Sequence, residues 1–75
     1  MSEEQAALAR RCREKLAAGV MIDIAELAAV LDVNERTIRR RVEKDARFPR
    51  PQTMGARIVR FRPRDVADLL GEGDR

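Results

Sequence analysis

The segment ELAAVLDVNERTIRRRV, from Glu26 to Val42, constrains the fold more than any other part of this 75-residue chain. It begins as a short apolar run and breaks at Leu31-Asp32-Val33. It resumes at Asn34 as an amphipathic run carrying Arg36, Arg39, Arg40 and Arg41. Asp23 is a good helix N-cap with Glu26 at the reciprocal position of a capping box, and Asn34 caps the next helix, predicted from Glu35 to about Asp45. Two short helices joined by a three- or four-residue turn make a helix-turn-helix, whose basic second helix has the size and charge to enter the DNA major groove.

The rest of the chain reads around that unit. Ser2 with Gln5 predicts a capping box for a helix from Glu3 to about Ala18, closed by Gly19. Leu8, Cys12 and Leu16 form its narrow apolar stripe, which we expect to pack on the core; the other reading is a partner helix. Val20-Met21-Ile22 reads as an extended lead-in. Ile24, Leu27, Ala28 and Leu31 form the predicted buried face of the next helix, with Val33 plugging the turn. On the basic helix Ile38 and Val42 point inward. Arg36, Arg40 and Glu43 point away, Arg39 and Lys44 lie on the flanks, and the stem of Arg41 covers core.

Phe48 closes the core, and Pro49 and Pro51 exclude a continuing helix. Gln52–Met54 and Arg57–Phe61 read as two strands around Gly55-Ala56, a basic β-hairpin with Val59 and Phe61 facing inward and Ile58 and Arg60 outward. Pro63 opens a last helix to about Leu70, with Val66, Leu69 and Leu70 returning to the core. The expected fold class is α+β, mainly α. It is a winged helix-turn-helix with an extra N-terminal helix (residues 1–19), the DNA-binding unit and its two-stranded wing (20–70), and a polar tail (71–75).

Charge is segregated. Residues 34–64 hold eleven basic groups against three acidic, a net of +8, although the whole chain carries only +3. Such a basic centre is an electrostatic footprint for a polyanion. One cysteine and no histidine argue against ordinary zinc sites, Cys–His pairs and Ser–His–Asp triads, so no metal, cofactor or enzymatic activity is expected. No apolar run approaches a membrane span of roughly 20 residues, and the acidic MSEEQ start lacks the basic opening of a signal peptide. A lone Cys12 fits a reducing cytoplasm.

IAELAAVLDVNERTIRRRV, FPRP and GARIVRFRPRDVADLL together resemble the small winged helix-turn-helix proteins of the phage excisionase and AlpA-type group, relatives of the DNA-binding end of MerR regulators. The resemblance covers about Met21 to Leu70. It is carried by Thr37-Ile38, by Phe48-Pro49, and by Arg57, Arg60 and Phe61. Asp32 stands where the group usually has a turn glycine, and Phe61 where tryptophan is common. The resemblance implies an excisionase, that is, a recombination directionality factor. Such a protein binds and bends attachment-site DNA beside a phage integrase, in a bacterial cytoplasm at the nucleoid. The alternative it implies is an AlpA/MerR-like transcriptional regulator. A third reading is a protein-binding adapter, against which the dense arginines argue. The lack of room for a long dimerisation helix favours the excisionase.

The expected site follows from DNA chemistry. Arg36, Arg39 and Arg40 are candidates to read bases, each through two parallel hydrogen bonds to a guanine. Glu35, Thr37, Lys44, Arg47 and Arg50 are candidates for backbone contacts or for stabilising the helix start. Arg57 and Arg60 are wing candidates for the minor groove. Double-stranded DNA is the expected partner, with neighbouring copies of the chain meeting through exposed Ile58 or the N-terminal helix.

Overall fold

The computed structural model describes residues 2–55 and 58–71. Four helices and a three-stranded antiparallel sheet follow one another as α1 (Glu3–Ala18), β1 (Ile22–Asp23), α2 (Ile24–Leu31), α3 (Glu35–Lys44), β2 (Gln52–Met54), β3 (Ile58–Phe61) and α4 (Pro63–Leu69). The architecture is α+β and mostly helical.

Local chemistry places the helix ends. Ser2 Oγ accepts the Gln5 N–H at 3.1 Å and starts α1. Gly19, at φ 72°, ends it in the left-handed conformation, and the Val20 N–H reaches back to the Lys15 carbonyl. This is the Schellman closure, which satisfies carbonyls that the helix leaves unpaired. Asp23 and Glu26 form the full reciprocal box at the start of α2, at 2.8 and 3.0 Å. Of the box expected at α1, the described residues show the Ser2 half. The Gln5 side-chain amide nitrogen donates to Asp32 Oδ1 at 3.0 Å.

The sheet differs from the expected two-stranded wing. Its order is β1-β3-β2, with Ile22 opposite Phe61 and Asp23 opposite Arg60. The predicted lead-in at 20–22 therefore contributes only Ile22 to a strand. Asp23 is at once its last residue and the cap of α2. Ile22 and Phe61 are both fully buried, so pairing these backbones also joins two core side chains.

Among the described residues one cluster forms the core, drawn from the four helices, β1 and β3: Cys12, Ile22, Leu27, Ala28, Ile38, Phe61 and Val66, with Phe48 from the loop after α3. Phe48 and Phe61 meet edge to face, centroids 6.3 Å apart, a favoured aromatic geometry. The burial of α2 is broader than one face. Glu26, Leu27, Ala28 and Ala29 are buried, while Ile24 and Leu31 are only half-buried. The cause is α1, which covers the side of α2 that a lone helix pair would leave in water. Cys12 is fully buried, with Leu16 packed beside the cluster, so the α1 stripe faces the core as expected.

Glu26 is the one buried charged residue among those described. Lys15 Nζ lies 2.9 Å from each of its carboxylate oxygens, the Asp23 N–H donates to it, and Arg11 is 3.7 Å away. A buried carboxylate is tolerated when a cation and hydrogen bonds compensate its lost hydration. Here the compensation comes from α1, so the same residue caps α2 and fastens α1 to it.

Candidate nucleic-acid interface

The basic helix is set by its cap and its turn. Asn34 Oδ1 accepts the Thr37 N–H at 2.8 Å and the Thr37 hydroxyl at 3.0 Å, which fixes the first turn of α3. The preceding turn is three residues, Asp32-Val33-Asn34. Asp32 lies at φ 60°, ψ 44°, and the Val33 N–H donates back to the Ala28 carbonyl at 3.0 Å. Asp32 thus does what a glycine does at Gly19, because a short polar side chain tolerates the left-handed region better than most. Ile38, fully buried, and Val42, half-buried, seat α3 on the core.

The outer face of α3 holds Arg36, Arg40, Glu43 and Lys44, all exposed. Among the described residues Arg36, Arg40 and Lys44 have no ion-pair partner and donate to no acceptor. Of the other expected site residues, Glu35, Arg39, Thr37, Arg50 and Arg60 have local partners, while the Arg47 side chain has none among the described residues. Arg39 Nη2 lies 3.7 Å from Glu35 Oε1, one turn back. Arg39 also borders a shallow groove of about 230 Å³ between α3 and the sheet, with Val42, Pro51 and Val59. The Thr37 hydroxyl is engaged by the cap. Arg50 donates to the Val42 carbonyl, an acceptor in the last turn of α3, and so closes that helix end. Arg47 flanks a separate groove with Pro49, Asp65, Asp68 and Leu69, on the α4 side. Arg60 is half-buried and its guanidinium donates to the Val59 carbonyl at 3.0 Å. Arg57 lies outside the described residues, as does the tail from 72 onward.

Arg41 behaves as its angular position predicts. Its guanidinium carbon sits 5.2 Å from the centre of the Phe48 ring, and Nη2 is 3.5 Å from Asp45 Oδ2. It braces the turn after α3 rather than joining the outer face. Among the described residues the arrangement separates a structural pair, Arg41 and Arg50, from Arg36 and Arg40, which stand on the outer face of α3 without an ion-pair or hydrogen-bond partner. Sequence reasoning missed the Arg50 closure and the Lys15–Glu26 pair. Both join residues brought together by tertiary folding, and no local spacing announces them.

Among the described residues no cluster of His, Cys, Asp and Glu has the arrangement to hold a metal ion, and no helix is long and apolar enough to cross a membrane. Comparison of the chain with protein-family models, with curated proteins and with solved structures returned no match.

Proposed function

We propose that this chain is a sequence-specific DNA-binding protein of the winged helix-turn-helix kind. In this reading α2 and α3 form the reading unit, the β2–β3 hairpin is the wing, and β1 anchors the wing to the core. The observation that carries the proposal is the outer face of α3. It presents Arg36, Arg40 and Lys44 in water without a partner among the described residues, on a helix capped at both ends and seated by Ile38. Unpaired guanidinium groups on a rigid helix supply hydrogen bonds to guanine edges and charge for phosphates. The N-terminal half of α3 enters the major groove, and Lys44 meets a flanking phosphate.

The physiological role we propose is that of a phage excisionase acting with an integrase in the bacterial cytoplasm. A single module of this size covers only about 600–1,000 Å² of its own surface on DNA, so specific occupancy calls for neighbouring copies on adjacent sites.

The test is a gel-shift titration on attachment-site DNA at several salt concentrations, followed by an excision assay with the cognate integrase. Neutralising about five phosphates gives a slope of log affinity against log salt of about −4 to −5. A slope near zero removes nucleic acid as the partner. Binding with that slope but no effect on excision leaves the transcriptional regulator.

A further inference from the structure

We infer that the base-reading group is the pair Arg36 and Arg40, and that the DNA it fits carries two guanines about two base steps apart in the major groove. The inference rests on the proposed DNA-binding reading and adds a target class to it.

Three arginines on α3 have the right chemistry, but their surroundings separate them. Arg36 and Arg40 are four residues apart, one above the other, opposite the buried Ile38. Both are exposed and neither is engaged by another described residue. Arg39 stands roughly 80° round the helix from that line, at 100° per residue. It lines the groove with Glu43, Pro51 and Val59, and Glu35 lies 3.7 Å from its guanidinium. When Arg36 and Arg40 face the floor of the major groove, Arg39 faces its wall, where the phosphates are.

Glu43 stands between the two sets. It is exposed one turn beyond Arg40, at the edge of the outer face, and lines the groove beside Arg39. A carboxylate is repelled by phosphate but accepts a hydrogen bond from the amino group of cytosine. Glu43 therefore fits a cytosine beside the guanines better than it fits the phosphate strand that Lys44 and Arg39 face.

The spacing follows from the two helices. Four residues of α-helix rise about 6 Å. Successive base pairs are about 3.4 Å apart along the duplex. The two guanidinium groups thus address bases roughly two steps apart, on one strand or on both. Each presents two parallel N–H donors to guanine O6 and N7, a pattern that no other base pair offers in the same place.

The experiment is selection of binding sites from a randomised duplex library by the full chain, with Arg36→Ala, Arg40→Ala, Arg40→Lys and Arg39→Ala alongside. The expected result is enrichment of two guanines with that separation. Arg36→Ala erases the preference at one and Arg40→Ala at the other, each with roughly a ten- to hundredfold loss on the selected site. Arg40→Lys keeps the charge and the affinity for random DNA but weakens the guanine preference, because an ammonium lacks the planar fork that holds O6 and N7 together. Arg39→Ala lowers affinity for all sequences alike. Unchanged circular dichroism and unfolding midpoints show that each variant is folded. A bound library without the guanine pair, or one whose preference vanishes with Arg39→Ala, overturns this inference alone. A library from which nothing is retained at low salt overturns the DNA-binding reading itself.

Discussion

The side-chain amide of Gln5 and the carboxylate of Asp32 meet in an N–H···O hydrogen bond of 3.0 Å across 27 positions of sequence. Gln5 belongs to the first turn of α1, and Asp32 is the left-handed residue on which the turn into α3 pivots. The N-terminal helix therefore touches the turn that aims α3, although it contributes nothing to the outer face of that helix.

Two effects oppose each other at Asp32. A non-glycine residue in the left-handed region costs roughly 1 kcal/mol or somewhat more, and a solvent-exposed hydrogen bond returns about the same or less. Asp32→Gly is expected to shift stability by less than about 1 kcal/mol in either direction. Asp32→Val, which is β-branched and cannot bond Gln5, is expected to lose about 2 kcal/mol. Urea unfolding of the two variants checks this. Equal losses in both would show that the backbone conformation carries no strain.

Lys15→Met removes the main cation facing Glu26, a side chain with no exposed surface. Removing one member of a fully buried pair typically costs 3–5 kcal/mol. Arg11 and the Asp23 N–H remain, and Lys15 itself is partly exposed, so the expected loss is about 2 kcal/mol. Glu26→Gln in the same background should recover part of it, since the uncompensated charge is then gone. A double-mutant cycle in denaturant measures both, and strict additivity would refute the coupling.

Cys12 provides a pH test. Burial, and after it the nearby Glu26 carboxylate, push its thiol up from 9.0 to about 11. Because the folded value lies above the unfolded one, the contribution of Cys12 is complete below about pH 9 and is lost as pH rises toward 11. Between those limits the stability of the native protein should fall more steeply than that of Cys12→Ala. At pH 8 the thiol should stay unreactive to a disulfide reagent until denaturant unfolds the chain. Prompt labelling under native conditions would show that the α1–α2 contact opens readily.

Arg41 and Arg40 are adjacent in sequence and opposite in expected effect. Arg41→Ala loses its place over the Phe48 ring and should destabilise by about 0.5–1 kcal/mol, the range for an exposed cation–π contact. Arg40 makes no hydrogen bond, ion pair or cation–π contact with a described residue, so Arg40→Ala should leave the unfolding midpoint unchanged while weakening DNA binding. Paired thermal melts and gel shifts distinguish the two. A destabilised Arg40→Ala would mean that the outer face of α3 is held by contacts of its own.

The legible parts of this molecule are local ones. Ser2, Asp23 and Asn34 cap helices within three residues of themselves, Gly19 closes one, and Pro63 opens another, so spacing along the chain is sufficient. The third strand was not legible. Two residues, Ile22 and Asp23, are too short to show alternation, and their partners Phe61 and Arg60 lie at the far end of the chain. The broad burial of α2 has a signal in IAELAAVL, where Glu26 is the sole polar residue and no wet face exists, so a single apolar stripe does not describe it. In the candidate site, residue type was readable but engagement was not. Asp45, Phe48 and the Val42 carbonyl become partners of Arg41 and Arg50 only because the chain doubles back after α3.

The core draws about one side chain from nearly every element, and its members run from Cys12 to Val66. During synthesis, then, no early portion of the chain holds a closed apolar cluster. While Val66 is still within the ribosome, Phe61 and Cys12 have no α4 against them. The nascent helices can form and dissolve, but the packed state waits for nearly the whole described chain to emerge. Amide hydrogens of α1 should accordingly exchange through the same global opening as those of β3, and not through separate fraying of the N-terminal helix.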